Sequence, residues 1–263
     1  MDGKKYFFIV SIIILFNIEI AHAQSNTIFI TLSSTMDKII FDGKWTDRTE
    51  WKNSSLDIFS YDDGTTIHLR TAHQDDFIYI FVDVPSDTHL NKVADRALIC
   101  FDTQNDKSVV LDDNDYCFMT TLAGKRSFVY QGDSNKIRSL KEITGVDGFV
   151  AVGSTSDTND RYSTTPHPSY EFKIPTDLIG RSNIYGFYLT FYDAQLNRVY
   201  SWPQQAITYN FPQIPSPTKW GEMVSPDKSL PEFHWPLISF LAAIFLSVYF
   251  AKINQACLDR QAQ

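Results

Sequence analysis

TTIHLRTAHQDDFIYIFVDV, residues 65–84, decides how this chain folds. Ile67, Leu69 and Thr71 alternate with polar neighbours, and Ile78, Ile80, Val82 and Val84 alternate on the return. A period of two places one set of side chains on one face of an extended strand. The polar tetrapeptide HQDD at 73–76 supplies the reversal between the runs, so the stretch predicts an antiparallel hairpin.

Working outward, the same signature recurs. Strands are expected at 56–60, 96–102, 115–122, 127–131, 148–154, 170–175 and 184–193, separated by turns rich in Gly, Asp, Asn and Ser. Only PTDLIG, 175–180, reads as helical, for a turn or two. Aromatic residues make up 14% of the chain and suit strands that pack face to face. Many short strands with polar turns predict an all-β fold, an antiparallel β-sandwich of jelly-roll or immunoglobulin-like type, over residues 24–224. With 23 Lys+Arg against 31 Asp+Glu the net charge is −8, which repels phosphate backbones and argues against nucleic acid as a partner.

Both ends of the chain are apolar. Lys4 and Lys5, the run 6–18 and the Ala-x-Ala step of AHAQS read as a secretory signal peptide, 1–23, cleaved after Ala23. WPLISFLAAIFLSVYFA, 235–251, carries no charge and would span about 26 Å as a helix. Trp235 and Tyr249 sit near its ends, and Lys252 follows. This predicts a single transmembrane helix seated in the lipid bilayer, a spacer at 225–234, a cytoplasmic tail at 252–263 and an extracellular domain.

Candidate chemistry lies in the turns. FDTQNDKSVVLDDNDYC, 101–117, clusters Asp102, Asn105, Asp106, Asp112, Asp113 and Asp115. Calcium takes six to eight oxygen ligands, so these six are the candidate metal ligands. Cys100 and Cys117 occupy corresponding places on the flanking strands, and outside a cell they are expected to form a disulfide. Cys257, beyond the apolar helix, would be a free thiol. Asn53 in NSS is a glycosylation sequon.

The segment DGKWTDRTEW, 42–51, opens with a turn dipeptide and carries two tryptophans. Trp51 is expected in the core; for Trp45 the alternatives are core packing and an exposed aromatic platform. Sugars bind on flat aromatic faces because their C–H faces are apolar while their hydroxyls need polar partners. Tyr162 and His167, in the polar loop 156–170, and Trp202 complete the candidate ligand-binding set with Trp45; Trp220 is weighed as core or rim. His68 and His73, five apart on one strand, face opposite sides and form no pair. No Gly-x-Ser-x-Gly, His-Glu-x-x-His, P-loop or Cys-x-x-Cys occurs, so no catalytic residues are expected.

DGKWTDRTEW resembles the opening of family 9 carbohydrate-binding modules and their DOMON-like relatives, which bind sugars or haem. DDFIYIFVDV (75–84), ADRALICFDTQND (94–106), YEFKIP (170–175), RVYSWP (198–203) and PSPTKWGEM (215–223) follow in the order that family shows, so the resemblance covers about 27–224. It implies a surface-displayed module that binds carbohydrate or cell-surface glycan, with structural calcium in a loop comparable to 101–117. The alternative it carries is a haem-binding redox domain of a membrane complex, for which Met119 is the candidate axial ligand. A structural envelope protein without a small ligand is the third reading. Pro231, Glu232 and Phe233 resemble the Pro-Glu-Phe element of archaeal carboxy-terminal sorting signals, which implies removal of the helix; the sparsely basic tail departs from that pattern.

Overall fold

The computed structural model describes residues 26–123, 126–133, 140–207 and 214–225, together with Ile244. The signal segment 1–23, nearly all of the spacer, the apolar stretch 235–251 apart from Ile244, the tail and the Pro-Glu-Phe element lie outside the described residues. No helix among the described residues is long and apolar enough to cross a membrane.

The hairpin at 65–84 forms. Its strands are β4 (Thr66–Gln74) and β5 (Phe77–Asp83), in register from His68 opposite Asp83 to Gln74 opposite Phe77. Asp75 takes the left-handed φ of 52° at the reversal, a region that Asp enters more readily than most residues. Ahead of the hairpin lie β1 (Thr27–Phe29), β2 (Thr31–Leu32) and β3 (Ser55–Ser60). After it come β6 (Arg96–Asp102), β7 (Asp115–Thr121), β8 (Ser127–Gly132), β9 (Leu140–Ile143), β10 (Val150–Thr155) and β11 (Pro168–Pro175). The short helix α1 (Thr176–Ile179) leads into β12 (Ile184–Asp193), β13 (Arg198–Trp202) and β14 (Gly221–Val224).

These strands make two sheets. The larger runs β1-β14-β12-β6-β7-β8-β9, with β13 also on β12; the smaller runs β10-β11-β5-β4-β2, with β3 also on β4. The sandwich is all-β as expected, but both sheets are mixed rather than purely antiparallel. The reason is the N-terminal strand, which changes sheets: β1 pairs parallel with β14, and two residues later β2 pairs parallel with β4.

The space between the sheets is filled by one face of each strand. Ile67, Leu69, Ile78, Ile80, Val82, Ile99, Phe101, Phe118, Phe172, Phe187, Phe191 and Trp202 pack there. Each such side chain contributes about 1.5–3 kcal/mol on leaving water. The outer faces are not left wet, as simple alternation would have them. On the smaller sheet Ala72, Tyr79 and Phe81 point outward and are buried, because residues 36–51 fold back across them as a strap. On the larger sheet Leu98, Cys100, Cys117, Met119 and Tyr188 form a further cluster, part of it beneath Trp220.

DGKWTDRTEW is the anchor of that strap. Gly43 adopts φ +85°, and a Cβ there would meet the Gly153 carbonyl carbon and the Ser154 nitrogen at 2.6 Å, so the turn demands glycine twice over. The Gly43 N–H donates to Glu171 Oε2 at 2.7 Å, and the Trp51 indole N–H donates to Glu171 Oε1 at 3.0 Å. Glu50 accepts from the backbone N–H groups of Ile40 and Thr46. Glu171 thus holds both ends of the segment on the sheet, while Glu50 ties the strap to itself.

Candidate functional site

The strap decides the fate of the residues picked out as ligand contacts. Trp45 is fully buried, edge-on to Phe81 at 6.0 Å and to Tyr162 at 5.9 Å, with the Arg70 guanidinium 5.2 Å from its ring centre. It has no face to offer a sugar: the platform expectation fails because the strap turns this ring onto the sheet. Trp51 stacks on Phe81 at 5.3 Å, in the core as expected. Trp202 is buried between Phe59 and Phe187 in the inter-sheet core. Trp220 stacks on Tyr188 beneath the other face of the larger sheet. Trp45, Trp202 and Trp220 therefore belong to three separate clusters and share no cleft.

Tyr162 is half-buried; its hydroxyl accepts from Arg70 Nε at 2.6 Å and its ring meets His68 edge-on. His167 is fully buried. Its Nδ1 lies 2.7 Å from the Thr165 carbonyl oxygen and 2.9 Å from Ser156 Oγ, and its Nε2 lies 2.8 Å from Asp83 Oδ1. The carbonyl can only accept, so Nδ1 carries a proton and Nε2 shares a second one with Asp83. Burial pushes Asp83 up to about 6. His167 is raised as well: burial opposes its charge, and the bond to Asp83 overrides that. This pair ties the 156–167 loop to β5 as a polar rivet inside the fold, with Asp160 Oδ1 3.8 Å from the same Nε2.

The acidic turn 101–117 divides in two. Asp102 and Asp115 face each other across β6 and β7 and are fully buried. Asp102 accepts from the backbone N–H groups of Asp106 and Lys107, and Asp115 Oδ2 accepts from that of Asp112. Asp115 Oδ1 is buried without a hydrogen-bond partner. Burial, together with the charges of Asp102, Asp112 and Asp106, pushes Asp115 up to about 8. Asp106 and Asp112 serve local turns, Asn105 Nδ2 reaches Glu222, and Asp112 and Asp113 line a shallow depression with Gln104 and Asn114. The expected disulfide is present: Cys100 and Cys117 are register partners and are bonded. Asn53 is exposed, so its sequon is accessible. Cys257 lies outside the described residues.

A cleft appears where sequence reading did not place one. It opens on the outer face of the larger sheet, has a volume of about 420 Å³, and is lined by Val93, Arg96, Met119, Thr121, Ala123, Arg126 and Phe128. Strand register builds it: Arg96 stands opposite Thr121, Thr121 continues through Leu122 and Ala123 to the turn before β8, and Met119 stands opposite Phe128. Arg96 is also opposite Tyr192, and its guanidinium lies 4.8 Å from that ring centre. Phe128 and Tyr130, two apart on β8 and therefore on one face, hold their rings within 13° of parallel at 6.0 Å. Both are half-buried, so part of an aromatic ledge borders the opening. No carboxylate is among its described lining residues. The signal available in the sequence was RSFVY, 126–130: a cation followed by aromatic residues at alternate positions next to a strand with Arg at its start.

No protein-family model and no curated protein matches this chain. Among solved structures it is similar to a family 9 carbohydrate-binding module from Caldicellulosiruptor kristjanssonii in complex with glucose. The identity is 15%, over 76% of this chain and 95% of that one, with a TM-score of 0.49. The same module in complex with cellotriose gives 15% identity and a TM-score of 0.47. A putative carbohydrate-binding protein from Bacteroides uniformis gives 12% identity, over 76% of this chain and 98% of that one, with a TM-score of 0.46.

Proposed function

We propose that this protein is a non-catalytic carbohydrate-binding module that takes a sugar in the cleft on the outer face of the larger sheet. The observation that carries the reading is the cleft's own lining: an aromatic ring edge and face at Phe128, guanidinium donors at Arg96 and Arg126, and the Thr121 hydroxyl around one opening. The C–H face of a pyranose packs on an aromatic ring while its hydroxyl oxygens accept from guanidinium N–H groups. A volume of about 420 Å³ lies within the span of about 300–1,000 Å³ usual for small-molecule clefts. Glucose and cellotriose are ligands of the similar structures; the reading for this chain rests on the cleft. Met119 lines the opening, and no His or Lys is among its described lining residues.

The proposal includes display outside a membrane, with 235–251 as anchor in the bilayer, and a calcium ion steadying the turn 101–117 near the unpartnered Asp115 Oδ1. The test is a glycan array followed by calorimetry on the hits. Phe128→Ala and Arg96→Ala should each weaken binding at least tenfold, about 1.4 kcal/mol. Trp45→Phe should leave affinity unchanged. Equal affinity of the Phe128 variant and the parent protein would reject the cleft as the site.

A further inference from the structure

We propose that the connection between β5 and β6 and the turn between β12 and β13 together hold a divalent cation of the calcium type, bound by Asp87, Asp193 and Asp95 beside the hydroxyl of Tyr170. Asp87, Asp95 and Asp193 are 6%, 0% and 2% exposed, so three carboxylates are buried in one corner of the sandwich. A carboxylate oxygen of Asp87, one of Asp193 and a ring nitrogen of His89 all lie within 4.8 Å of one another. Among the described residues the sole ion pair of the three is the long one from His89 Nδ1 to Asp87 Oδ1, at 3.7 Å. Among the described residues the cation whose charge reaches this corner is Arg96, which acts on the Tyr170 hydroxyl against the three carboxylates.

Two further observations point to something seated in this corner. Asp87 Oδ1 accepts from the His89 N–H at 2.8 Å, but Asp87 Oδ2 is buried with no partner. The Tyr170 hydroxyl is also buried with no partner, and the charges that act on it most strongly are those of Asp95, Asp87 and Asp193. A buried polar atom without a partner costs about 1–3 kcal/mol, and more for a charged group. One cation at the centre would satisfy both at once.

Backbone donors already aim the carboxylates. Asp193 Oδ1 accepts from the N–H groups of Gln195 and Leu196, and Asp95 accepts from those of Ala194 and Asn91. Such outer contacts orient ligands and leave lone pairs free, since a carboxylate has about four acceptor positions. Carboxylate and hydroxyl oxygens are hard ligands; with a single, largely exposed imidazole at the rim, the set suits calcium and not zinc or copper. The ion would clamp the 84–95 connection to the 193–197 turn. Val93 and Arg96 line the neighbouring cleft, so loading would also stiffen one of its walls; this last consequence rests on the carbohydrate reading, whereas the ion site does not.

The experiment is calcium titration of the chelator-stripped full-length protein, by calorimetry and thermal unfolding, with magnesium, manganese and zinc as parallel arms. Calcium is expected to raise the melting temperature, and terbium in its place should luminesce when tyrosine is excited. Asp87→Asn should bind calcium at least tenfold more weakly in this site while making the ion-free protein more stable, because one buried negative charge is removed. A merely structural Asp87 would give a less stable ion-free protein. Asp112→Asn, in the other acidic turn, should leave this binding step in place. His89→Ala, on the exposed rim, keeps the fold and should weaken binding two- to fivefold. Tyr170→Phe should dim the terbium signal. The proposal is overturned if none of the four metals binds the stripped protein, if zinc binds more tightly than calcium, or if Asp87→Asn leaves calcium affinity and stoichiometry unchanged.

Discussion

Replacing Glu171 with alanine should come close to unfolding the protein. Glu171 is fully buried on β11, facing the strap, and receives one N–H on each oxygen, from Gly43 and from the Trp51 indole. Alanine removes both acceptors and leaves two buried donors orphaned, at about 1–3 kcal/mol each. It also deletes packed methylene, worth about 0.8 kcal/mol per group. The sum is roughly 3–7 kcal/mol, against a total stability for such a domain of about 5–15 kcal/mol. At about 2–4 °C per kcal/mol for a chain of this size, the melting temperature should fall by roughly 10–20 °C. Glutamine keeps the methylenes and one acceptor but points an NH₂ at one of the two donors, so about 2 kcal/mol should be lost. Urea unfolding followed by tryptophan fluorescence measures both. The indole N–H resonance of Trp51 reports the bond directly and should move in each variant. A loss below about 1.5 kcal/mol for alanine, or an unmoved indole resonance, would refute the view that this carboxyl anchors the strap.

Two further outcomes can be checked with little effort. Reduction of Cys100–Cys117, whose sequence separation is 17, should lower stability by about 3 kcal/mol through the freedom it returns to the unfolded chain, and mass spectrometry without reductant should show the bond intact in the purified protein. The Asp83–His167 pair should make stability fall as pH rises. Asp83 is held above its ordinary 3.8, up to about 6, and His167 above its ordinary 6.5, so the folded state keeps protons that the unfolded state has released. That contribution is whole near pH 4, shrinks towards pH 6 and shrinks again above 6.5 as His167 loses its proton. The urea midpoint should drop between pH 5 and 8.5 more steeply in the parent protein than in Asp83→Asn, and parallel slopes would discard the shared proton.

The hairpin, the strand positions and the disulfide were legible in the sequence because each rests on local pattern. Apolar residues at every second position mark the inward faces of β4 and β5, and Cys100 and Cys117 sit on neighbouring strands at matching distance from one turn. What was not legible is which outward faces are covered. Trp45 reads as a platform if the strand beneath it is half-wet; it is a core residue because the strap 36–51 returns over Tyr79 and Phe81. FIYIFV carried the clue, since apolar residues at both parities mean that both faces leave water. The short parallel edges of β1 and β2 gave no signal, for strands of two or three residues lack room for a period. Asp87, Asp95 and Asp193 are brought together by topology alone, from connections far apart along the chain.

The covering of faces also explains where a ligand can go. The inter-sheet space is closed by buried aromatic and branched side chains. The outer face of the smaller sheet lies under the strap and the 156–167 loop, riveted by Glu171, Arg70 and His167. Part of the outer face of the larger sheet is roofed by Ile214 and Trp220, the latter held by its indole N–H on the Pro215 carbonyl at 2.9 Å. The part that remains is the stretch carrying Arg96, Thr121, Met119 and Phe128, where strands stand open and the side chains are suited to a hydroxylated ring. Cutting back Trp220 to alanine should therefore expose the Tyr188 side of that face and cost about 3–5 kcal/mol. Glycan affinity of the fraction still folded should stay within twofold of the parent protein. A large loss of affinity in that folded fraction would mean that the roof, and not the open strands, makes the site.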